Sequence, residues 1–281
     1  MSIKAILRKY KVTLFLLVQL RKIFYYVIPL ILFNINKFLR LRGIIRNSPY
    51  EKLKRQKNKH KGERCFIVAT GPSLTIPDLE KLKNEITFSM NSICLAFNET
   101  EWRPTYYGIQ DPDVYKKLKK EIDGFDVECK FIGSYIIRDV LKSENTYVFP
   151  LNLLNHNVAH RKYHSKFSDN AFAVVYSGYS ITYSLIQIAV YMGFEEIYLL
   201  GADCNYSSNS KHHFKEYGHT DPKFSEAHDQ MTAAYKVAKE YAEHHNVKIY
   251  NATRGGMLEV FERVDLDKVL SEKTKSLIAS S

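Results

Sequence analysis

The chain has 281 residues, of which 45% are hydrophobic and 25% are charged, and this composition excludes a protein that is disordered throughout. Its length suits one medium-sized α/β domain with an appendage. The formal net charge of +11 is uneven, because residues 1–61 hold 16 of the 41 Lys and Arg residues but only one of the 30 acidic residues. The rest is nearly neutral, so nucleic acid is not an expected partner, since a nucleic-acid-binding domain carries its basic face on the fold itself.

Residues 1–46 are predicted to be a basic amphipathic segment that associates with a membrane. Arg21 and Lys22 interrupt its apolar run, and the uninterrupted part, residues 23–33, is shorter than the roughly 20 residues of a spanning helix. Pro29 is expected to kink the helix. We therefore expect a cytoplasmic protein, peripheral at the inner face of the cell membrane. A spanning helix and a helix packed on the domain are the alternatives.

The remaining boundaries follow from composition. Residues 47–61 read as a charged linker, residues 62–270 as one α/β domain, and residues 271–281 as a frayed tail. Four cysteines lie far apart without a C-x-x-C pair, which indicates reduced, buried thiols in a cytosolic protein.

The first strand of the domain is predicted at residues 65–69, before a sharp turn. Gly71 and Pro72 break the apolar run, and Ser73 is able to cap a following helix. A buried strand that feeds a tight turn and a helix presents N–H groups to phosphate in α/β proteins. The glycine spacing is neither that of a dinucleotide-binding fingerprint nor that of a P-loop, so an ordinary strand-to-helix turn remains the alternative interpretation. The predicted nucleotide-binding residues here are Thr70, Gly71, Pro72 and Ser73.

The next two strands are predicted to end at Asn91 and Asp111. Open α/β sheets bind ligands beyond the carboxyl ends of their strands, so the strand ends at Thr70, Asn91 and Asp111 are expected to converge on one crevice. Asp111 is a candidate for binding a ribose hydroxyl or a divalent ion. The alternative interpretation of Asn91 is an ordinary turn residue. Further strands are predicted at residues 130–133 and 147–150.

Residues 151–176 are the least regular part of the domain. His156, His160 and His164 follow one another at steps of four, but no carboxylate or cysteine accompanies them, so no metal site is predicted. A mobile polar flap over an anionic ligand is favoured, with a solvated loop as the alternative.

A helix and a buried strand follow. Apolar residues at steps of three and four predict a helix after Ser180, whose first N–H groups are suited to phosphate. Residues 196–200 predict a strand buried on both faces, and Asp203 follows it as a site carboxylate or a loop cap. A long helix at residues 225–245 and a strand at residues 247–251 complete the pattern. The predicted fold is a Rossmann-like, open, mostly parallel sheet with helices on both faces, plus the basic apolar N-terminal helical segment.

These motifs resemble the MptE-like superfamily. The Gly71-Pro72-Ser73 turn after the first strand and the helix, Gly193, strand and Gly201-x-Asp203 series carry the resemblance. The superfamily includes archaeal 6-hydroxymethylpterin diphosphokinases, and bacterial sialyltransferases that use CMP-sialic acid are similar in fold. The resemblance implies that Asn91 lies over a nucleotide.

The sialyltransferase likeness further implies a catalytic set. Gly218-His219-Thr220 resembles a Gly-His-Ser triplet whose histidine is the general base, which implies that His219 accepts a proton, with His213 as its rival. Tyr206 resembles a tyrosine after the Gly-x-Asp, offset by one residue, so Tyr206 and Asp203 join His219 as expected catalytic residues. Valine and tyrosine precede Ser177 where those enzymes carry an arginine for the sialic-acid carboxylate, which argues against that sugar.

The resemblance implies a transferase. The favoured expectation is a bacterial glycosyltransferase for cell-surface glycan, with a nucleotide sugar as substrate and a glycan or lipid-linked acceptor. One alternative is ATP-dependent pyrophosphoryl transfer to a pterin alcohol, with Mg²⁺ held by Asp111 and Asp203. The other is a non-catalytic nucleotide-binding protein at the membrane surface. No cofactor is assigned with certainty.

Overall fold

A computed structural model of the chain describes residues 3–138, 143–153, 163–205, 213–215, 217–218 and 224–279. The strands, in chain order, are β1 Arg64–Val68, β2 Thr87–Met90, β3 Tyr106–Ile109, β4 Cys129–Gly133, β5 Thr146–Phe149, β6 Leu151–Asn152, β7 Val175–Tyr176, β8 Glu196–Leu200, β9 Lys248–Asn251 and β10 Glu262–Arg263. The helices are α1 Ile3–Lys22, α2 Ile28–Leu41, α3 Ile76–Lys81, α4 Pro112–Lys117, α5 Lys119–Asp123, α6 Ile181–Tyr191, α7 Phe224–His244 and α8 Leu266–Ala279.

The central feature is an eight-stranded sheet in the order β10-β9-β8-β1-β2-β3-β4-β5, in which every described pairing is parallel. The chain builds outward from β1 to β5 and then returns to the other side of β1 to place β8, β9 and β10. Strand order therefore reverses between β1 and β8, and such a reversal opens a crevice at the carboxyl ends of the strands. β6 and β7 pair separately.

Both faces of the sheet are covered, which confirms the predicted fold class. Successive residues of β1 alternate between two cores. Cys65 and Ile67 join the core that includes residues of α6 and α7. Phe66 and Val68 join the opposite core, which includes residues of α3, α4 and α8. Helices on both faces explain why β1 and β8 read as continuous apolar runs.

The N-terminal segment is one continuous helical stretch with a π-helical turn in it. A π-helical turn, Ile23–Val27, joins α1 to α2, and the N–H of Ile28 donates to the carbonyl of Ile23. This wider turn lies just before Pro29, whose missing N–H leaves a gap in an α-helical ladder. The stretch Tyr10–Leu41 is long and apolar enough to cross a membrane on length and composition alone, and its most apolar 18-residue window has a mean hydropathy of 1.7. None of its most apolar window is buried, so that window does not pack on the domain.

The expected charged linker at residues 47–61 is instead part of the packed domain. It contains a short 3-10 helix, Glu51–Gln56, with Leu53 buried. The N–H groups of Asn58 and His60 donate to the carbonyls of Tyr191 and Met192. These carbonyls belong to the C-terminus of α6, where the helix has no partners of its own for them. The linker expectation was wrong. It was based on the many lysines of the segment, and a charged composition does not show these backbone contacts.

The C-terminus also differs from the expectation. Residues 271–281 were expected to fray, but α8 runs from Leu266 to Ala279, and its first turns pack on the domain through Leu266 and Val269.

Arg40, at the end of α2, fixes the long helix to the domain. Its side chain is 5% exposed, and Nε and Nη2 donate to the carbonyls of Phe172 and Ala173 at 3.1 and 2.6 Å. The guanidinium also lies over the rings of Tyr50 and Phe172, at 4.6 and 5.3 Å from their centroids. This contact places the end of the N-terminal segment inside the folded unit.

Truncation tests this contact. We expect a fragment of residues 48–281 to have a free energy of unfolding roughly 2–4 kcal/mol below that of residues 37–281, because it loses two charge-assisted hydrogen bonds and the ring contacts. Urea unfolding measures the difference. Within the longer fragment, Arg40→Met should reproduce the loss and Arg42→Met, at an exposed position, should not. Equal unfolding midpoints for the two fragments would show that the contact is dispensable.

Candidate functional site

A cleft of about 200 Å³ lies at the carboxyl ends of β1, β2, β3 and β8, beside the reversal in strand order. The N-terminus of α6 and one face of α7 complete its walls. Seven of the residues predicted from the sequence line it together: Thr70, Gly71, Pro72, Asn91, Asp111, Ser180 and Asp203. The expected convergence of strand ends is therefore present in the fold.

Two predicted catalytic residues, Tyr206 and His219, lie outside the described residues. The neighbouring segment is described in part, and His213 and Tyr217 line the cleft. The N–H of Phe214 donates to the carbonyl of Thr70 at 2.8 Å, and Lys117 Nζ donates to the carbonyl of Gly218. These bonds tie the segment that precedes His219 to the cleft edge.

Three N–H groups of the turn after β1 already have acceptors in the protein. Gly71 N–H donates to the carbonyl of Gly201 at 2.9 Å, Leu74 N–H donates to the carbonyl of Gly71, and Ser73 N–H donates to Asp203. Pro72 has no N–H at all. These residues therefore do not present their N–H groups to a phosphate in this structure.

Ser73 also has a different role from the expected helix cap. Thr75 caps α3 through a capping box with Asp78, and Arg254 binds the Asp78 carboxylate through both terminal nitrogens. Ser73 Oγ instead donates to Asp203 Oδ2 at 2.8 Å. A side chain at Gly71 would overlap with Asp203 and with the carbonyl of Gly201, so glycine is required by the close approach of two strand ends.

Asp203 is the most buried carboxylate at the cleft, with 7% of the residue exposed. Burial raises its pKa above the ordinary value, and the hydrogen bonds from Ser73 oppose this rise. Its backbone carbonyl accepts the N–H of Met257 at 2.7 Å, which brings the turn after β9 back to the site edge. A buried carboxyl with a raised pKa in a cleft is a common feature of functional sites.

The N-terminus of α6 is the part of the cleft best suited to an anion. Ser180 caps the helix by accepting the N–H of Tyr183. Helix geometry leaves the first N–H groups, here those of Ile181 and Thr182, without acceptors inside the helix, and both residues line the cleft. The helix dipole adds positive potential at the same end. The phosphate-binding role predicted for Ser180 thus has the supporting geometry.

Three of the six non-glycine residues with positive φ in the described part of the chain line the cleft. Asn91, Tyr179 and Cys204 all line it and have positive φ angles of 47°, 64° and 49°, a conformation uncommon for residues other than glycine. Asn91 Oδ1 is buried and has no hydrogen-bond partner among the described residues. Strained residues and unpaired buried polar atoms are both concentrated at ligand sites in proteins.

Asp111 and Gln110 lie at the end of β3. Asp111 Oδ1 caps α4 by accepting the N–H groups of Asp113 and Val114, which leaves Oδ2 for a ligand. Gln110 Oε1 accepts the hydroxyl of Ser184 at 2.7 Å, and this bond fixes the amide beside the cleft. The sequence prediction missed Gln110, although its position next to Asp111 was a usable signal.

The comparisons agree with this architecture. The family model described as "6-hydroxymethylpterin diphosphokinase MptE-like" matches residues 37–209. The chain belongs to the MptE-like family. This match confirms the resemblance drawn from the turn after β1 and the Gly201-x-Asp203 strand end, and it begins within α2, three residues before Arg40.

A solved structure shows the same fold as this MptE-like chain. The MAf glycosyltransferase from Magnetospirillum magneticum AMB-1 superposes with a TM-score of 0.50 and 17% sequence identity, over 79% of this chain and 38% of that one. The MptE-like chain therefore spans 38% of the length of that glycosyltransferase. No curated protein matches the chain. Family and fold together support a transferase-like protein.

The raised pKa of Asp203 predicts a pH effect on stability. Between the ordinary value of 3.8 and the raised folded-state pKa, the folded protein binds more protons at this site than the unfolded chain, so stability falls as pH rises. We expect Asp203→Asn to remove this fall. Urea unfolding at a series of pH values from 4 upward, on the order of the ordinary carboxyl range, measures it. Asp229→Asn, at an exposed position on α7, is the control, and parallel curves for wild type and Asp203→Asn would contradict the prediction.

Proposed function

We propose that this MptE-like protein is a glycosyltransferase that uses a nucleotide sugar for cell-surface glycan synthesis. One observation carries the proposal: the ends of four parallel strands and the N-terminus of α6 converge on a single cleft at the strand-order reversal. This is the place where open α/β sheets bind nucleotides. The fold shared with the MAf glycosyltransferase supports the choice of chemistry by analogy.

The proposed donor pose follows from the hydrogen-bonding groups of the cleft. The donor phosphate lies at the first turn of α6, where unpaired N–H groups and the helix dipole favour an anion. The nucleoside lies over Asn91, whose buried Oδ1 lacks a partner among the described residues. Thr70, Gly71 and Pro72 form the floor, and Ser73 acts through its bond to Asp203.

The general base is proposed on the segment after β8. His219 remains the favoured residue because of its Gly-His-Thr setting, and Tyr206, 13 residues earlier on the same segment, is proposed to act with it. His213 is the alternative, and it lines the cleft, with its ring tilted by 54° against that of Tyr217 and the ring centroids 4.9 Å apart. Either imidazole is suited to accept the proton of an acceptor hydroxyl.

The second candidate is ATP-dependent pyrophosphoryl transfer. Asp111 and Asp203 both line the cleft, whereas no Lys or Arg is found among its described lining residues. Carboxylates together with substrate phosphates form the kind of oxygen ligand set that Mg²⁺ prefers. β3 and β8 lie three strand spacings apart in the sheet, about 14 Å, so a Mg²⁺ ion would be held by one of these carboxylates together with the substrate phosphates, whose charge it would neutralise in either reaction. A protein that binds nucleotide without turnover is the remaining possibility.

The proposed location is the inner face of the cell membrane, with the long helix lying on it. The longest part of the helix without a charged residue is residues 23–36, about 21 Å at 1.5 Å per residue. A hydrocarbon core is about 30 Å thick, so a spanning helix would bury charges. A surface position suits a lipid-linked or glycan acceptor.

Nucleotide binding is the first test. We expect one of CMP, UDP, GDP or ATP, screened with and without Mg²⁺, to raise the melting temperature, because a ligand at a hundred times its Kd adds about 2.7 kcal/mol of stability. Asn91→Asp retains a side chain that tolerates positive φ but places a carboxylate near the nucleotide, and should weaken binding about tenfold or more.

The matched control is Asn98→Asp, at an exposed position outside the cleft, which should bind like wild type. Failure of all four nucleotides to shift the melting temperature would overturn the proposed function. Equal affinities in the Asn91 and Asn98 variants would remove Asn91 from the site.

Turnover tests the general base. We expect His219→Ala to slow sugar transfer about 10²–10⁴-fold with little change in donor affinity, because the base acts on the acceptor hydroxyl. Initial rates measured with His213→Ala distinguish His213 from His219 as the base. His244→Ala, at the end of α7, is the control. If only His213→Ala loses turnover, the base is His213. If neither does, neither His213 nor His219 is the base.

A further inference from the structure

Helix α2, the second half of the long helix, has one strongly apolar, exposed side. Ile35 lies at its centre, and the other members lie within about 60° of Ile35 around the helix axis, at 100° per residue. Their exposed fractions run from 38% to 53%. We call this surface the apolar stripe, and its residues are Ile28, Ile31, Leu32, Ile35 and Phe38. Adjacent exposed apolar side chains of this kind mark interaction surfaces.

The opposite side of α2 is attached to the domain. Arg40 lies about 140° from Ile35 around the helix axis, is 5% exposed, and donates to the carbonyls of Phe172 and Ala173. Lys37, on the same side, is half-buried. The attachment fixes the rotation of α2 about its own axis, so the apolar stripe points away from the domain.

Polar side chains border the apolar stripe. Asn34 and Asn36 are exposed and lie about 100° to either side of Ile35. Arg42 is exposed just after the last turn, with its guanidinium 5.3 Å from the ring centroid of Phe38. An apolar centre with polar borders and a basic end is typical of a helix that lies in a membrane interface. A spanning position would place both asparagines and the attached side of the domain in hydrocarbon, where polar groups are costly.

Charge distinguishes a lipid surface from a second copy of the chain as the partner of the stripe. No acidic residue precedes Glu51, whereas Arg21 and Lys22 precede the stripe and Arg42 and Arg46 follow it. Two copies paired along their stripes would bring only like charges together, which repel. An anionic membrane covers the apolar side chains and attracts the basic ones.

We propose that α2 lies in the plane of an anionic phospholipid membrane, with the apolar stripe in the outer acyl region and the domain held on the opposite side. Asn34 and Asn36 lie at the level of the headgroups, and Arg42 contacts lipid phosphate. The proposal deepens the proposed membrane location and rests on it. It adds which side of the helix enters the lipid and how the domain is oriented above it.

The attachment also connects the helix to the cleft. The carbonyls of Phe172 and Ala173, which Arg40 binds, come just before β7. In β7, the N–H of Tyr176 donates to Gln187 Oε1 at 3.0 Å, and its carbonyl accepts Gln187 Nε2 at 2.7 Å. Gln187 belongs to α6, whose N-terminus faces the cleft. A membrane-bound α2 therefore holds the cleft in a fixed position relative to the lipid surface, which suits a lipid-linked acceptor.

Vesicle sedimentation of the full-length protein tests the apolar stripe. The probes are vesicles of phosphatidylcholine mixed with phosphatidylglycerol, and of phosphatidylcholine alone. We expect Leu32→Gln and Ile35→Gln each to weaken partitioning onto the mixed vesicles about tenfold, the effect of returning about half of an apolar side chain to water. Met257→Gln, at a residue of the domain that is 51% exposed, is the matched control and should partition like wild type. Wild type should bind phosphatidylcholine alone more weakly, because the basic residues then lack an anionic surface.

A fluorescent label tests the orientation of the helix. The four native cysteines are buried, so a thiol-reactive NBD label attaches to a cysteine introduced at an exposed position. We expect the fluorescence of labelled Ile35→Cys to rise several-fold on addition of mixed vesicles, because NBD brightens in an apolar medium. Labelled Asn36→Cys, at the polar border, should change little.

Four results would overturn the proposal, and they differ in what else they affect. Equal partitioning of Ile35→Gln and Met257→Gln removes the stripe from the contact, and equal fluorescence rises at positions 35 and 36 exclude an in-plane helix; both leave the proposed location intact. A dimer of the full-length protein that Ile35→Gln dissociates, with partitioning unchanged, assigns the stripe to a second copy. A wild type that sediments with neither vesicle overturns the location as well. Nucleotide-induced shifts in the melting temperature of each variant, measured in parallel, report on the proposed function separately.

Discussion

The site depends on the close approach of the strand ends after β1 and β8. Gly71 and Gly201 are joined by a backbone hydrogen bond, and there is no room for a side chain at position 71. Ser73 crosses the same gap to hold the Asp203 carboxylate. Because β1 and β8 lie on either side of the strand-order reversal, this contact sets the width of the crevice that the reversal opens.

Helix α6 connects the core to the site. Its face is buried against the sheet through residues such as Leu185 and Ile188, and Gly108 of β3 allows Leu185 to approach closely. Its C-terminal carbonyls are satisfied by the segment after the long helix, while its N-terminus faces the cleft. A helix held at both its face and its end presents its first N–H groups in a fixed position, which favours preorganised binding of an anion.

The parts of the fold predicted from sequence are those with strong local signals. β1 and β8 read as buried apolar runs and α6 as a regular helical pattern, and the strand ends they position gave seven of the cleft residues. β6, β7 and β10 are two residues long, too short for any periodicity. The role of Ser73 depends on a partner 130 residues away in the sequence. The cap of α3 is Thr75 rather than Ser73, because Thr75 forms a capping box with Asp78. The spacing of residues along the sequence does not show either of these contacts of Ser73 and Thr75.

Positive charge is concentrated in the N-terminal segment, whereas the cleft is lined by carboxylates. This separation affects how each region can bind a ligand. The net positive charge of the chain concentrates in the N-terminal segment, while the described cleft lining contains Asp111 and Asp203 without a Lys or Arg. Attraction between exposed charges fades within about 10 Å at moderate salt, so the basic segment gives little help to a phosphate in the cleft. Phosphate binding there must depend on helix N–H groups, on a metal ion, or on side chains outside the described residues. The proposed membrane attachment should therefore respond to salt more strongly than the proposed nucleotide binding, because the first would depend on exposed cations and the second on a partly enclosed site.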